Sequence, residues 1–255
     1  MRLELKFLLK NAEIETDYRA SIMSFFKYAL EKKYSLLYKE LYDSNNVKPF
    51  SFSVFLPDAK IDGHRYILSG NIFSVKFSSS DTALLFSFYN AMTNAVSLGY
   101  DYELPFENSL RLIKVSYSNT QKIASQKVLI KFLSPLLVRA HEKEGNKDRY
   151  LDYTSEDFGE RLQDVVGFYL KTRGIKNGKI TLKPIEAKRT VAVCMKLKFN
   201  CSYGEFELTA RPDIIEELYL AGVGSRRSEG FGLFDIKCQI DDESADIEFT
   251  EGADV

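Results

Sequence analysis

The sequence predicts an α+β fold in which two units of similar size each follow the order β-α-β-β-α-β. Short segments with alternating apolar and polar residues, such as residues 2–10, are typical of half-buried strands. Longer segments with apolar residues three and four apart, such as residues 18–33, are typical of amphipathic helices. Both kinds recur in the same order on either side of a polar stretch at residues 118–125. This order is that of a ferredoxin-like, or RRM-like, domain, so we predict two such domains in tandem.

The first half of the chain supplies one complete unit. Its predicted elements are strand 2–10, helices 18–33 and 36–42, strand 48–55, a hairpin over 65–77, helix 81–98 and strand 109–117. The helix starts are assigned to Thr16-Asp17 and to Asp81, because a short polar side chain can cap free N–H groups. Gly99 then provides a stop for the helix over 81–98.

The second half repeats the order of elements without repeating residues. Its predicted elements are strand 127–133, helix 155–171, two strands within 179–199 that part near 187–190, strand 206–210, helix 213–221 and strand 231–236. We therefore divide the chain into a first domain at 1–120, a second domain at 121–237 and an acidic tail at 238–255 that we expect to be disordered.

Composition narrows the functional classes. The chain is 45% hydrophobic and lacks an apolar run of about 18 residues, which predicts a soluble cytoplasmic protein with no membrane partner. Its three cysteines have no CxxC spacing, so neither a disulfide framework nor a zinc site is predicted. The tail contains seven acidic and no basic residues, which leaves 35 basic against 29 acidic residues (36 less seven) in the body. A body of net charge +6 suits a polyanionic partner.

A glycine-rich loop over residues 222–232 reads Gly-Val-Gly-Ser-Arg-Arg-Ser-Glu-Gly-Phe-Gly. Glycines permit positive φ and close approach to the main chain, and Arg226 and Arg227 add positive charge, so we predict an anion-binding loop. The loop joins a helix to a strand and lacks the Gly-Lys-Ser/Thr of a nucleotide-binding P-loop. The alternative is a capped helix end followed by a turn without a ligand.

This loop resembles the C-terminal glycine-rich loop of the RAMP superfamily of CRISPR-associated RNA-binding proteins. The shared pattern is Gly-apolar-Gly, five residues that include a cation, and Gly-apolar-Gly, between a helix and a last strand. The resemblance implies tandem ferredoxin-like domains packed around a central RNA-binding cleft, with CRISPR repeat RNA as the partner.

A second segment, residues 41–53, resembles the active-site region of the RAMP branch that processes CRISPR repeats. Lys48 and the Pro-Phe-Ser-Phe-Ser strand match, Tyr42 stands where the family has a histidine, and Tyr28 matches a tyrosine of some members. A segment that opens the second domain, residues 134–139, also matches. The resemblance implies metal-independent cleavage of RNA, in which a 2′-hydroxyl attacks the adjacent phosphate and leaves a 2′,3′-cyclic phosphate and a 5′-hydroxyl.

The predicted site follows from these matches, with no metal and no cofactor. Candidate catalytic residues are Lys48, Tyr42 and Tyr28. Candidate RNA-binding residues are Gly222, Gly224, Arg226, Arg227, Gly230, Gly232, Lys27, Lys32, Lys33, Lys39 and Arg139. His64 and His141 lie in polar, turn-like stretches and are interpreted as surface residues.

Three functions remain open at this stage. The first is a repeat-processing endoribonuclease, monomeric or homodimeric, whose tyrosine at position 42 is a poor base because its reference pKa is about 10. The second is a RAMP-type subunit that binds repeat-derived RNA without cutting it, together with other CRISPR effector subunits. The third is a ferredoxin-like scaffold in which Tyr42 packs against the core, Lys48 is solvated and the loop only turns the chain.

Overall fold

The structure is a computed structural model that describes residues 1–43, 46–142 and 147–240. Most of the predicted acidic tail, residues 241–255, lies outside the described residues. The last strand reaches Ile240, three residues past the predicted end of the second domain. The polar stretch predicted as the domain boundary lies between a strand that ends at Ser118 and one that begins at Lys127.

The first domain consists of an antiparallel sheet, a small second sheet, two long helices and a short one. Its elements are β1 (Arg2–Leu9), β2 (Glu13–Glu15), α1 (Tyr18–Lys33), α2 (Ser35–Tyr42), β3 (Phe50–Phe55), β4 (Lys60–Asp62), β5 (Arg65–Ile67), β6 (Ile72–Ser79), α3 (Thr82–Leu98), β7 (Tyr102–Leu104) and β8 (Asn108–Ser118). The main sheet has the order β3-β6-β1-β8-β7. Leu3, Leu5, Phe7 and Leu9 of β1 are fully buried, as their alternation with polar residues predicted.

The two predicted helix starts have different chemistry. Asp81 caps α3 as predicted, because its carboxylate accepts a hydrogen bond from the Leu84 N–H at 3.0 Å. Asp17 makes no side-chain cap on α1. Its carboxylate instead accepts the N–H groups of Met195 and Lys196, at 2.9 and 2.7 Å, from a hairpin of the second domain.

The hairpin predicted over residues 65–77 does not form. β5 pairs with β2 and β4 in a small separate sheet, whereas β6 pairs with β1 and β3 in the main sheet. The tight turn lies earlier, where Gly63, at φ +57°, and His64 connect β4 to β5.

The second domain repeats the strand arrangement of the first. Its elements are β9 (Lys127–Phe132), β10 (Val138–Glu142), β11 (Lys147–Leu151), α4 (Phe158–Thr172), β12 (Thr181–Cys194), β13 (Leu197–Thr209), α5 (Pro212–Ala221), the 3-10 turn Arg227–Glu229 and β14 (Phe234–Ile240). The sheet has the order β12-β13-β9-β14. The strand break predicted near 187–190 is wrong, because β12 runs through it and the chain turns at Met195 and Lys196, whose φ angles are both positive. The predicted strand at 206–210 is the end of β13.

The two domains are joined by buried polar contacts as well as by apolar packing. The Arg2 side chain is 2% exposed and donates to Asp235 and to the Tyr219 and Phe234 carbonyls of the second domain. Lys76 donates to the same Asp235 carboxylate at 3.0 Å. Among the described residues, none of the helices is long and apolar enough to cross a membrane.

Candidate functional site

The glycine-rich loop is packed between the domains. All four of its glycines are buried and have positive φ. A Cβ on Gly232 would lie 1.8 Å from the Val223 carbonyl oxygen, and one on Gly224 would lie 2.5 Å from the Leu137 carbonyl oxygen. The first requirement for glycine in this loop is therefore close contact with the protein's own backbone.

One of the two predicted loop cations, Arg227, is buried. Arg227 is 5% exposed, and its guanidinium carbon lies 3.4 Å from the centre of the Tyr169 ring. Its terminal nitrogens face the Gly222 and Lys48 carbonyls at 3.4 and 3.5 Å. Burial lowers the pKa of Arg227 from its ordinary value. The sequence predicted a cation available to RNA here, whereas the structure buries Arg227 against Tyr169 of α4, with the Lys48 carbonyl as its contact with the first domain.

Arg226 faces a different environment. Its φ is +52°, its side chain is 25% exposed, and it donates to the Glu229 carboxylate at 2.8 Å. The guanidinium also lies 5.0 Å from the Phe199 ring centre and 5.9 Å from that of Tyr150. Burial opposes the charged form, but hydrogen bonds to Glu229 and Tyr150 give a net rise in the pKa of Arg226. Arg226 is thus a permanent cation on a partly open side of the loop.

The first domain contributes a cluster of Lys27, Tyr42 and Lys48, here called the two-lysine cluster. The Nζ atoms of Lys27 and Lys48 lie 4.9 and 5.3 Å from the centre of the Tyr42 ring. α1 provides Lys27, the last residue of α2 is Tyr42, and Lys48 precedes β3. The sequence matches predicted that Tyr42 and Lys48 lie together, but gave no reason to add Lys27 to them.

Burial changes the pKa of two members of the two-lysine cluster, Lys48 and Tyr42. Burial, with a smaller effect of neighbouring Lys27, lowers the pKa of Lys48, while Glu229 of the glycine-rich loop acts in the opposite direction. Burial raises the pKa of Tyr42, and Tyr38 adds to the rise. Tyr42 is therefore protonated at neutral pH, whereas Lys48 is the member whose pKa moves toward neutrality.

Tyr28, the third candidate catalytic residue, belongs to another cluster. Its ring packs edge-on against Tyr100, with ring centres 4.9 Å apart, and lies 5.7 Å from that of Tyr102. Lys32 is near the same ring, at 5.4 Å. One residue along a helix rotates the side chain by about 100°, so Lys27 faces Tyr42 whereas Tyr28 does not.

The remaining predicted cations lie around the loop and on the helical surface. Lys32, Lys33, Lys39 and Arg139 are exposed. The Arg139 guanidinium pairs with Asp148 at 2.8 Å, and its backbone N–H donates to Ser225 of the glycine-rich loop at 3.1 Å. The same carboxylate holds His141 at 2.9 Å. Among the described residues, His, Cys, Asp and Glu side chains do not gather in groups of three that could hold a metal ion.

A central cleft separates the two domains on the open faces of the sheets. It comprises adjoining cavities of about 580 and 560 Å³ that share Tyr18, Tyr66 and Tyr203. Lys6 and Lys76 line the first cavity, and Lys188 and Lys198 line the second. A cleft with both aromatic rings and lysines has the composition of a surface that binds single-stranded nucleic acid.

Comparison with known proteins shows which family the second half of the chain resembles. Residues 118–236, which include the glycine-rich loop and Arg139, match the family described as "CRISPR associated protein Cas6, C-terminal". The predicted relationship to CRISPR-associated RAMP proteins is confirmed in this half. No curated protein matches the chain in sequence.

Solved structures extend the Cas6 likeness to the whole fold. A Cas6-related protein from Pyrococcus furiosus has a TM-score of 0.81 and 20% identity over 92% of this chain and 98% of its own. A RAMP protein described as binding different RNA substrates has a TM-score of 0.78 and 22% identity over 92% and 99%. A Cas6 product complex has a TM-score of 0.67 and 15% identity over 92% and 98%. The tandem ferredoxin-like fold is thereby confirmed.

Proposed function

We propose that this chain binds CRISPR repeat RNA and cuts it without a metal ion at the two-lysine cluster. The observation that carries the proposal is the position of the Lys27 and Lys48 ammonium groups, each within about 5 Å of the Tyr42 ring. Two cations beside one ring suit the bridging and non-bridging oxygens of a phosphodiester. The likeness to a Cas6 product complex and to an RNA-binding RAMP protein supports the choice of substrate.

The proposed reaction is an internal transfer. The 2′-oxygen loses its proton and attacks the adjacent phosphorus, and the bond from phosphorus to the 5′-oxygen breaks. The departing oxygen takes up a proton, so the products are a 2′,3′-cyclic phosphate and a 5′-hydroxyl. Because no water is consumed, the enzyme needs only to move protons and stabilise the phosphorane.

Each member of the two-lysine cluster has a role that its environment allows. Lys48, with its lowered pKa, exchanges protons with the reacting oxygens, since its neutral form is more populated than that of an ordinary lysine. Lys27 stabilises the negative charge that develops on phosphorus. Tyr42, whose pKa is raised, orients the two lysines and stays protonated. In this proposal Tyr28 packs α1 against Tyr100 and Tyr102 and has no direct role in cleavage.

RNA binding in this proposal uses surfaces on both domains. The backbone of Arg226 is in the left-handed helical conformation, and the next residues form a right-handed 3-10 turn. This change of hand turns the successive N–H groups of residues 226–228 to one side, as in an anion-binding nest. Exposed Lys32, Lys33, Lys39 and Arg139 add charge to the same function. Other nucleotides of the repeat bind in the central cleft.

Binding without cleavage is the second candidate function, and one observation favours it. Neither histidine belongs to the two-lysine cluster, because His64 lines the central cleft and His141 is held by Asp148 on β10 and β11. A subunit that only holds repeat-derived RNA, alone or with other CRISPR proteins, has no need of a proton acceptor beside the phosphate. The tight packing of the loop glycines supports the third candidate, a scaffold whose loop only turns the chain.

The deciding experiment incubates the full chain with a panel of CRISPR repeat RNAs in EDTA, with product analysis on a denaturing gel. Cleavage at one position, with acid-sensitive cyclic phosphate termini, is the expected result. Uncut RNA that shifts on a native gel would establish the binding function. If the RNA neither shifts nor is cut, the scaffold function is the candidate that remains. An identical panel with Lys48→Met separates cleavage at the proposed site from a contaminating nuclease.

A further inference from the structure

A groove lies beside the two-lysine cluster, between α2, the residues before β3 and the first turn of α3. Its volume is about 330 Å³, at the lower end of the range of roughly 300 to 1,000 Å³ for small-molecule sites. About half of its described lining residues are apolar, including Leu37, Leu41, Val47 and Ala83, and its charged lining residues are Glu40, Lys48, Asp81 and Arg173. We call it the α2–α3 groove.

Charged groups stand at the edges of the α2–α3 groove. Lys48 belongs to the groove wall and to the two-lysine cluster, so a ligand in one adjoins a ligand in the other. Arg173 reaches the groove from the second domain, with its guanidinium 30% exposed and its Nε 3.4 Å from Glu217. The groove therefore combines apolar side chains with two cations and two carboxylates, which suits a flat ring with polar edges that carries phosphates on both sides.

We propose that the α2–α3 groove binds the nucleobase of a nucleotide next to the phosphate held by the two-lysine cluster. This inference rests on the proposed function, because it takes the occupant to be part of the same RNA. Size and continuity select this occupant: the groove has room for one base and its ribose, and Lys48 of its wall also belongs to the two-lysine cluster. Arg173 contacts the phosphate on the far side of that nucleotide.

The polar groups of the groove also select the kind of base. Asp81 lines it, and one carboxylate oxygen of Asp81 caps α3 by accepting the Leu84 N–H. The second oxygen can accept from an exocyclic amino group. Adenine, cytosine and guanine carry such a group, whereas uracil offers a carboxylate only its ring N3–H, so we expect the groove to prefer the first three bases. A site built for a hydrogen bond discriminates strongly against an analogue that lacks it.

Crosslinking and affinity test the inference without any need for cleavage. Ultraviolet crosslinking of a bound repeat RNA, followed by mass spectrometry, identifies the nucleotide that contacts peptides containing residues 37–41 or 83–87. RNAs carrying each of the four bases at that nucleotide are then compared by fluorescence anisotropy. We expect uracil to weaken binding by about 10-fold or more.

Three variants sharpen the test. Ala83→Phe fills the groove from an exposed position and should lower affinity about 10-fold and abolish the base preference. Thr93→Phe, on an exposed position of the same helix outside the groove, is the matched control and should change neither. Asp81→Asn keeps a capping oxygen but presents an amide donor, so it should shift the preference toward uracil. Thermal melting confirms that each variant is folded.

The outcomes separate this inference from the proposed function. If no nucleotide crosslinks to the groove peptides, or if Ala83→Phe retains both affinity and base preference, the groove is not a base site. If the groove results hold while the wild-type protein cuts no RNA, the cleavage proposal fails and the base site stands. If the protein cuts repeat RNA and Ala83→Phe binds and cuts as the wild type does, only the groove inference fails.

Discussion

In the glycine-rich loop the arginine side chains are buried or paired with a carboxylate, whereas in the two-lysine cluster two ammonium groups lie near one tyrosine ring. Arg227 is buried on Tyr169, and Arg226 is paired with Glu229. Lys27 and Lys48 face one aromatic ring, and burial together with mutual repulsion lowers the pKa of Lys48. Arg19 and Ser51 of the first domain donate to the Gly230 and Phe231 carbonyls, so the loop contributes mainly to joining the domains, and we assign the proposed chemistry to the first domain.

The comparison also teaches how to interpret a glycine motif. Glycines that let a ligand approach the main chain and glycines that let two parts of one chain approach each other give the same sequence pattern. At Gly232 the near atom is the Val223 carbonyl oxygen, so the pattern reflects contact within the protein. Arg226 alone retains an accessible cation in the loop, and this distinction can be tested by mutation.

The largest expected effect is on folding and comes from Gly232→Val. A side chain there would meet the Val223 carbonyl oxygen at 1.8 Å and would also impose φ of +70° on a β-branched residue. We expect the free energy of unfolding to fall by about 4 kcal/mol or more. The measurement is urea denaturation followed by circular dichroism. Gly70→Val is the control, because a Cβ at Gly70 meets nothing within 4 Å; equal stability of the two variants would contradict the packing role of the loop.

Lys48→Met should have the largest effect on cleavage. Loss of a positioned proton-transfer group lowers rates by about 100- to 10,000-fold, and here the loss should leave affinity for RNA within about threefold. Single-turnover cleavage with saturating enzyme measures the rate separately from binding. Lys60→Met changes an exposed lysine of β4 and should cut at the wild-type rate. A rate for Lys48→Met close to that of the control would remove Lys48 from the proposed site.

The two arginines of the loop should differ in what they disturb. Arg227→Met removes a buried cation from Tyr169 and should lower the free energy of unfolding by about 2 kcal/mol, with the RNA affinity of the folded protein unchanged. Arg226→Met should lower RNA affinity about 10-fold and reduce the log-log salt slope by about one, with little change in stability. Anisotropy titrations at several salt concentrations and thermal melts provide both readouts. A weaker RNA complex for folded Arg227→Met would show that the buried arginine contacts RNA.

The sequence predicted the order of the main elements because each has a local signature. The period of two in β1 and the Asp81 and Gly99 boundaries of α3 are set by the neighbouring residues alone. The turn after β12 was misplaced because a tight turn with positive φ is normally predicted from Gly, Asn or Asp, whereas the two turn residues here are Met195 and Lys196. Tertiary contact with Asp17 stabilises this turn, and no local pattern reports such a contact.

In the candidate site, too, the sequence predicted which residues close along the chain lie together but not which distant residues join them. Tyr42 and Lys48 are close along the chain, and their matches to the processing nucleases predicted that they lie together. Lys27 is missing from that prediction because its place depends on how α1 is rotated against α2. Arg227 was assigned to the surface because charged residues are mostly exposed, and only the packed structure reveals the Tyr169 ring that covers it.

The smallest effect concerns Tyr42 and distinguishes an orienting ring from a chemical group. Because the raised pKa keeps Tyr42 protonated, its hydroxyl is not a base at neutral pH, and Tyr42→Phe should keep the cleavage rate within about threefold.

Tyr42→His introduces an imidazole of ordinary pKa about 6.5 beside two ammonium groups, which disfavour its protonated form. The imidazole is then neutral at pH 7 and can accept the proton of the attacking 2′-hydroxyl. We expect about 10-fold faster cleavage at pH 7, and the gain should disappear as the pH falls and the imidazole becomes charged. Single-turnover rates between pH 5.5 and 8.5 test both variants. A Tyr42→Phe protein that cuts more than 10-fold slower would make the hydroxyl a proton donor, and a Tyr42→His protein that cuts no faster at any pH would place the scissile phosphate away from the ring.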